Sequence, residues 1–179
     1  MSEAEQRIVA ACATTPKDMN TPLPTDRPSH SYTFHATESA RVPPGGVLHV
    51  PILATGIDGP LTDVSLAVHV RHRTMEDLSL ALVSPDVRTV LLSAFQGWNS
   101  SSYGESPDRP LVFTDEAAES ITRAVPPLVG VYRPLVKLAS AFRGLPPSTA
   151  NGTWRLVVMD EGRTGASALV VSATLILRT

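Results

Sequence analysis

The chain has 179 residues, a net charge of −2, a pI near 6.2, 42% apolar residues and 18% charged ones. That length suits one domain of about 100–200 residues with a short extension, large enough to bury a core without disulfide staples. The charge balance lacks the basic stripe that nucleic acid or an anionic membrane surface needs, no stretch approaches the ~20 apolar residues of a membrane span, and the single cysteine, Cys12, excludes an intramolecular disulfide.

Taken in chain order, residues 1–30 stand apart. Glu3 and Glu5 occupy the region where a secretory signal carries basic residues, and the apolar run 8–13 is short. No signal peptide is read, so the chain as given is expected in the cytoplasm. Residues 3–13 have room for about two helical turns. Pro16, Pro22, Pro24 and Pro28 make 14–30 an extended linker. From residue 31 to residue 179 the pattern is that of a folded module. Tyr32 and Phe34 alternate with polar residues. Residues 47–54 form a second run in which Pro51 marks an edge or a bulge. Residues 62–71 are the clearest strand, with Val64, Leu66, Val68 and Val70 on one face and Ser65, Ala67, His69 and Arg71 on the other, solvated one. Residues 77–83 repeat this with Leu78, Leu80 and Leu82 inward. A Ser84-Pro85-Asp86 turn leads into 88–93, and a polar Gly/Ser-rich loop covers 96–110. Residues 111–113 and 116–122 are shorter strands. Residues 134–142 read as a short helix, opening on Pro134 and stopping before Gly144. Residues 153–160 and 168–178 close the chain, the last with Leu169, Val171, Ala173, Leu175 and Leu177 in alternation. Period-two runs of this length signal half-buried antiparallel strands. About eight of them, separated by turns, indicate an all-β fold, an antiparallel β-sandwich or jelly roll with one short helix.

Three ordered blocks carry a family resemblance. In VHVRHRTMEDLSLALVSP (68–85), a strand ends in a His-containing turn at His72, Asp77-Leu78 opens the next strand, and Ser84-Pro85 ends it. A second block runs FTDEAA (113–118), PLVGVYRP (127–134), then Leu138 and Phe142; the third is NGTWRLVVMD (151–160). Together they resemble the P domain (P/Homo B domain) of subtilisin-like proprotein convertases over about residues 31–178. The departures are Thr114 where that family often has a second Asp beside Asp115, a single acidic residue in 161–165, and Ser172 and Ala173 near the place of a common Trp. The resemblance implies a non-enzyme, an accessory β-sandwich that packs beside a subtilisin-like serine peptidase domain and supports it. The family is usually secreted. The opening segment carries no peptidase sequence, so the expected partner, such a peptidase or another protein of its pathway, lies on another chain or in a part of the gene product outside this sequence. From a different class comes an independent jelly-roll module that binds carbohydrate or a cell surface.

The residues themselves carry no Gly-x-Ser-x-Gly elbow, His-Glu-x-x-His site or phosphate-cradling loop. Asp77, Asp115 and Asp160, one in each block, are candidate calcium ligands, because calcium takes six to eight oxygens from carboxylates and loop carbonyls. The competing reading has each carboxylate cap a turn through backbone N–H groups. For His72 the readings are a pH-sensitive turn and, favoured here, a ring that bonds neighbouring loop backbone. Trp154 is expected in the core with its N–H partnered. Trp98 and Tyr103 either form an exposed contact surface for sugar or protein, or pin the loop to the sandwich. The sequons at Asn99 and Asn151 are chance-level matches.

Overall fold

A computed structural model describes residues 29–96 and 102–179. Cys12, the helix read at 3–13, nearly all of the linker, Trp98 and the Asn99 sequon lie outside the described residues. In chain order the strands are β1 (Ser31–His35), β2 (Ala40–Val42), β3 (Val47–Ala54), β4 (Asp63–Arg71), β5 (Leu78–Val83), β6 (Thr89–Ala94), β7 (Ser102–Tyr103), β8 (Leu111–Thr114), β9 (Gly130–Tyr132), β10 (Gly152–Asp160) and β11 (Ala168–Arg178). Two single-turn helices, α1 (Ala139–Phe142) and α2 (Pro147–Ala150), precede β10.

The strands make two sheets. One has the order β1-β11-β4-β8-β9, with β2 also on β11 and β7 also on β4; the other has the order β3-β10-β5-β6. All pairings are antiparallel except β8–β9. The expected all-β sandwich is therefore what forms. Its interior is built by the alternation seen in the sequence. Val50, Ile52, Leu78, Leu80, Leu82, Trp154, Leu156 and Val158 come from the smaller sheet, and Leu66, Val68, Val70, Phe113, Leu175 and Leu177 from the larger, in one continuous buried cluster. Each such fully buried side chain stabilises the fold by roughly 1.5–3 kcal/mol. The last two strands are central: β11 lies between β1 and β4, and β10 between β3 and β5.

Four local readings change. In β11 the register slips between Val170 and Ser172, so the alternation changes phase. Ala168 and Val170 point inward before the slip and Ala173, Leu175 and Leu177 after it, while Leu169 and Val171 are only half-buried. The helix read over 134–142 is confined to Ala139–Phe142. Ahead of it, the N–H groups of Leu135 and Val136 donate to the carbonyls of Leu92 and Leu91 at 2.9 and 3.1 Å, so pairing along the β6 edge wins over helix propensity there. Residues 116–122 are not a strand but a turn running into a 3-10 helix at Ile121–Arg123, whose cap Ser120 Oγ accepts the Thr122 N–H at 3.3 Å. The short strands β2, β7 and β9 have no counterpart among the sequence-based expectations. Asn151 is no sugar acceptor in this fold, because its amide is used. Oδ1 accepts the Ile57 N–H at 3.0 Å, and Nδ2 donates to Ile57 O at 2.9 Å and Pro147 O at 2.8 Å.

The expected turn before β6 is present and carries strain. Ser84 O accepts the Val87 N–H at 3.0 Å and Ser84 Oγ accepts the Arg88 N–H at 3.1 Å. To close it, Val87 takes φ +64° while 71% exposed, a left-handed conformation that a β-branched residue adopts at a cost of about 1–2 kcal/mol. Val87→Asn is therefore expected to raise the unfolding free energy by about 1 kcal/mol in urea denaturation, since Asn tolerates this region. An unchanged or lower midpoint would show that the turn is unstrained.

Candidate functional site

Three side chains from two of the sequence blocks converge at one end of the sandwich. His72 follows β4, Asp77 precedes β5, and Asp160 ends β10. The pairing of Asp160 with Leu78 brings β10's end beside Asp77. Each of the three offers a donor atom within 4.8 Å of the other two, and all three are buried. The His72 ring faces three oxygens. Nδ1 lies 2.6 Å from Thr74 O, and Nε2 lies 3.2 Å from Ala166 O and 3.6 Å from Asp160 Oδ2. The Thr74 N–H approaches Nδ1 only to 3.2 Å, so the shorter contact fixes Nδ1 as a donor. Nε2 is likewise within donor reach of the Ala166 carbonyl, so the ring bonds loop backbone. Asp77 Oδ2 accepts the Thr164 hydroxyl at 2.9 Å and the Thr164 N–H at 3.2 Å, and Asp160 Oδ1 accepts the Gly162 N–H at 2.7 Å. Asp160 Oδ2 has no hydrogen-bond partner among the described residues. The expected backbone-bonding role of His72 is thus what is found, and the cluster as a whole ties the β4–β5 connection to the β10–β11 loop.

The calcium set read from the sequence does not assemble as a unit. Asp115 is not part of the cluster; its two oxygens accept the N–H groups of Leu138 and Ala139 at 2.9 and 2.8 Å and so cap the start of α1. The remaining side-chain donors are two carboxylates, which already accept from Thr164 and Gly162, and one imidazole nitrogen, so most of calcium's six to eight oxygens would have to come from backbone carbonyls or water. His72 joins Asp77 and Asp160 where the sequence suggested a third Asp. The signal for it was available, since His72 and Asp77 lie in one block five positions apart.

Tyr103 is fully buried, which corrects the reading of an exposed aromatic contact. Its hydroxyl lies 2.9 Å from Ser93 Oγ and donates to Gln96 O at 3.2 Å, so it pins the loop to the core. Burial pushes the phenol up to about 12, with the Ser93 hydrogen bond partly opposing. The folded state then holds a proton that the unfolded state releases above its ordinary value near 10. Stability present below pH 10 is accordingly lost as pH rises toward 12. Ultraviolet titration is expected to show one of the three tyrosines ionising only with unfolding; ionisation of all three near pH 10 in the folded protein would contradict the burial.

The outer face of the smaller sheet was missed by the sequence reading. The cross-strand rows are Leu53–Thr153; Pro51–Arg155–Val83–Thr89; His49–Val157–Ala81–Leu91; and Val47–Met159–Ser79–Ala94. Most of these residues are apolar and at least partly exposed, with Leu53 61% and Met159 41% accessible. Phe95, exposed beside this face, carries the Arg163 guanidinium 5.3 Å over its ring. The signal was in the sequence: VPIL, LALV and LVVM are apolar on both faces, the pattern of a strand covered on both sides.

No family model and no curated protein matches the chain. Among solved structures, FLHE aligns over 84% of this chain and 96% of its own, at 14% identity and a TM-score of 0.48. A chain of the complex between the Aeromonas sobria serine protease and the chaperone ORF2 aligns over 85% of this chain and 27% of its own, at 21% identity and a TM-score of 0.47. The serine protease of Aeromonas sobria aligns over 97% of this chain and 29% of its own, at 20% identity and a TM-score of 0.47. This chain thus spans less than a third of the latter two, and at such scores the likenesses bear on neither partner nor activity.

Proposed function

We propose that this chain is a non-catalytic β-sandwich module that docks on a partner protein through the outer face of the smaller sheet. The observation that carries the reading is that face: a four-strand surface of Val47, Pro51, Leu53, Val157, Met159 and Leu91 with Arg155 as its one guanidinium. Burying contiguous apolar surface of this kind is the dominant favourable term in protein association. The partner class is the one the three sequence blocks imply, a subtilisin-like serine peptidase domain. The enclosed His72–Asp77–Asp160 cluster supports a non-catalytic role, because the side chains of His72 and Asp160 have no solvent access and hold a loop. The carbohydrate reading is weaker, since a buried Tyr103 supplies no aromatic ledge for a sugar ring.

A photo-crosslinking residue placed at Leu53, and for comparison at the exposed Thr33 on the larger sheet, tests this in cells. Crosslinking to a peptidase domain from position 53, absent from position 33 and reduced about tenfold by Met159→Glu, is expected, since tenfold corresponds to ~1.4 kcal/mol of interface energy. Equal labelling from both positions, or labelling untouched by Met159→Glu, would remove this face as the interface.

A further inference from the structure

The opposite sheet carries a second concavity, of about 630 Å³, lined by Arg41, Arg71, Arg73, His69, Glu105 and Leu169 among others. Its construction follows from two rows that cross at Arg71. Along the chain, His69, Arg71 and Arg73 stand at alternate positions, and so on one side of β4 and its continuation. Across the sheet, Arg41 of β2 faces Leu169 of β11, Leu169 faces Arg71 of β4, and Arg71 faces Ser102 of β7. The slip in β11 is what makes this floor, because it turns Leu169 outward between the two arginines. Arg41 and Arg71 are two strand spacings apart, roughly 10 Å, within converging reach of their long side chains.

The pocket is charged without internal compensation. No carboxylate of the described residues lies within 4 Å of the Arg41, Arg71 or Arg73 guanidinium, and Glu105 at the wall is paired with Arg109 instead. His69, expected to be solvated, is 6% exposed, and its Nδ1 has no hydrogen-bond partner among the described residues. A buried polar atom left in this state costs folding free energy, and a ligand that meets it recovers that cost. Burial, and then Arg71, hold the His69 pKa below its ordinary value.

We propose that this pocket binds an acidic peptide segment, with aspartate or glutamate carboxylates on Arg41 and Arg71 and an apolar side chain over Leu169. The cavity is much larger than a single ion needs and falls in the 300–1,000 Å³ range of sites for larger ligands. Glu105 in the wall and the net charge of −2 disfavour a long polyanion such as a sulfated glycan, while carboxylates match the bidentate fork of arginine. The site lies on the sheet opposite the apolar face and does not depend on the docking proposed there.

Calorimetry on the full chain at low salt tests the assignment, with the capped peptide Ser-Asp-Leu-Asp-Ser, its Asn-for-Asp analogue, inorganic phosphate and a heparin oligosaccharide as probes. The acidic peptide is expected to bind and its Asn analogue to bind at least about tenfold more weakly. Arg71→Gln is expected to weaken the acidic peptide about tenfold and Arg41→Gln about fivefold, while Arg123→Gln, outside the pocket, leaves it unchanged. The His69 ring nitrogens should shift in NMR spectra when the peptide binds. Melting temperatures of the variants, all at exposed arginines, check that each is folded. No binding of the acidic peptide, binding indifferent to Arg71→Gln, or binding of phosphate or heparin alone would overturn the proposal.

Discussion

Asp160→Ala is expected to lower the unfolding free energy by about 1–3 kcal/mol, the cost of leaving a buried donor without its acceptor. Asp160 closes β10, and its side chain has no solvent access. Alanine removes the acceptor of the Gly162 N–H and the carboxylate oxygen 3.6 Å from His72 Nε2. Asp160→Asn separates the two effects. It keeps an oxygen for Gly162 and loses only the charge facing Nε2, so a smaller loss is expected. Denaturant midpoints at unchanged slope, with hydrogen exchange at Gly162 and Thr164, report both the energy and the loosening of the 161–167 loop. A loss below about 1 kcal/mol for Asp160→Ala would mean that the cluster does not hold the loop. The same melts with calcium and with a chelator are expected to coincide within about 1 °C. A ligand bound only to the native state must raise the midpoint, so a rise with calcium that Asp160→Ala abolishes would reinstate the metal reading.

The second large effect is expected at Trp154. Trp154→Ala should cost about 3–5 kcal/mol, as truncation of a large buried aromatic does. Trp154 is fully buried in the central strand of the smaller sheet, and its ring meets Phe142 edge-to-face at 5.0 Å and 71°. Its Nε1–H donates to Ala150 O at 2.8 Å. The side chain therefore fastens both α1 and α2 to the sheet. Trp154→Phe keeps most of the apolar volume and loses the Ala150 bond, so the gap between the two variants measures packing against hydrogen bonding. If Trp154→Phe proved as damaging as Trp154→Ala, the hydrogen bond would outweigh the volume.

The sequence made the sandwich legible where strands are long enough to show a period. β4 and β10 each run nine residues; the inward residues named for β4 are buried, and so is Trp154 of β10. β2, β7 and β9 have three, two and three residues, too few for alternation to exceed chance. β11 was found, correctly phased after its slip but misphased before it, because a bulge inserts one residue without any marker of composition. Asp77 and Asp160 were singled out, yet their meeting depends on the β5–β10 register, which no local pattern encodes. Asp115 shares their residue type and block context, but it lies at the entrance to α1, so the nearest unpaired N–H groups claim it. His69 was misread because alternation marks a face as outward without showing how far neighbouring side chains enclose it, and here the residue is 6% exposed.

The placement of β10 and β11 in the middle of their sheets has a consequence for synthesis. A ribosome delivers β1, β3, β4 and β5 well before the strands that must lie between them. At about 5–20 residues per second, the earliest strands wait on the order of ten seconds for central partners. Until residue 178 has emerged, neither sheet can be continuous, and hairpins such as β5–β6 are the only pairings available on the smaller one. Folding of this module therefore waits for its own last strands, and a nascent chain halted before residue 152 would present its apolar strands to chaperones rather than a partial sandwich.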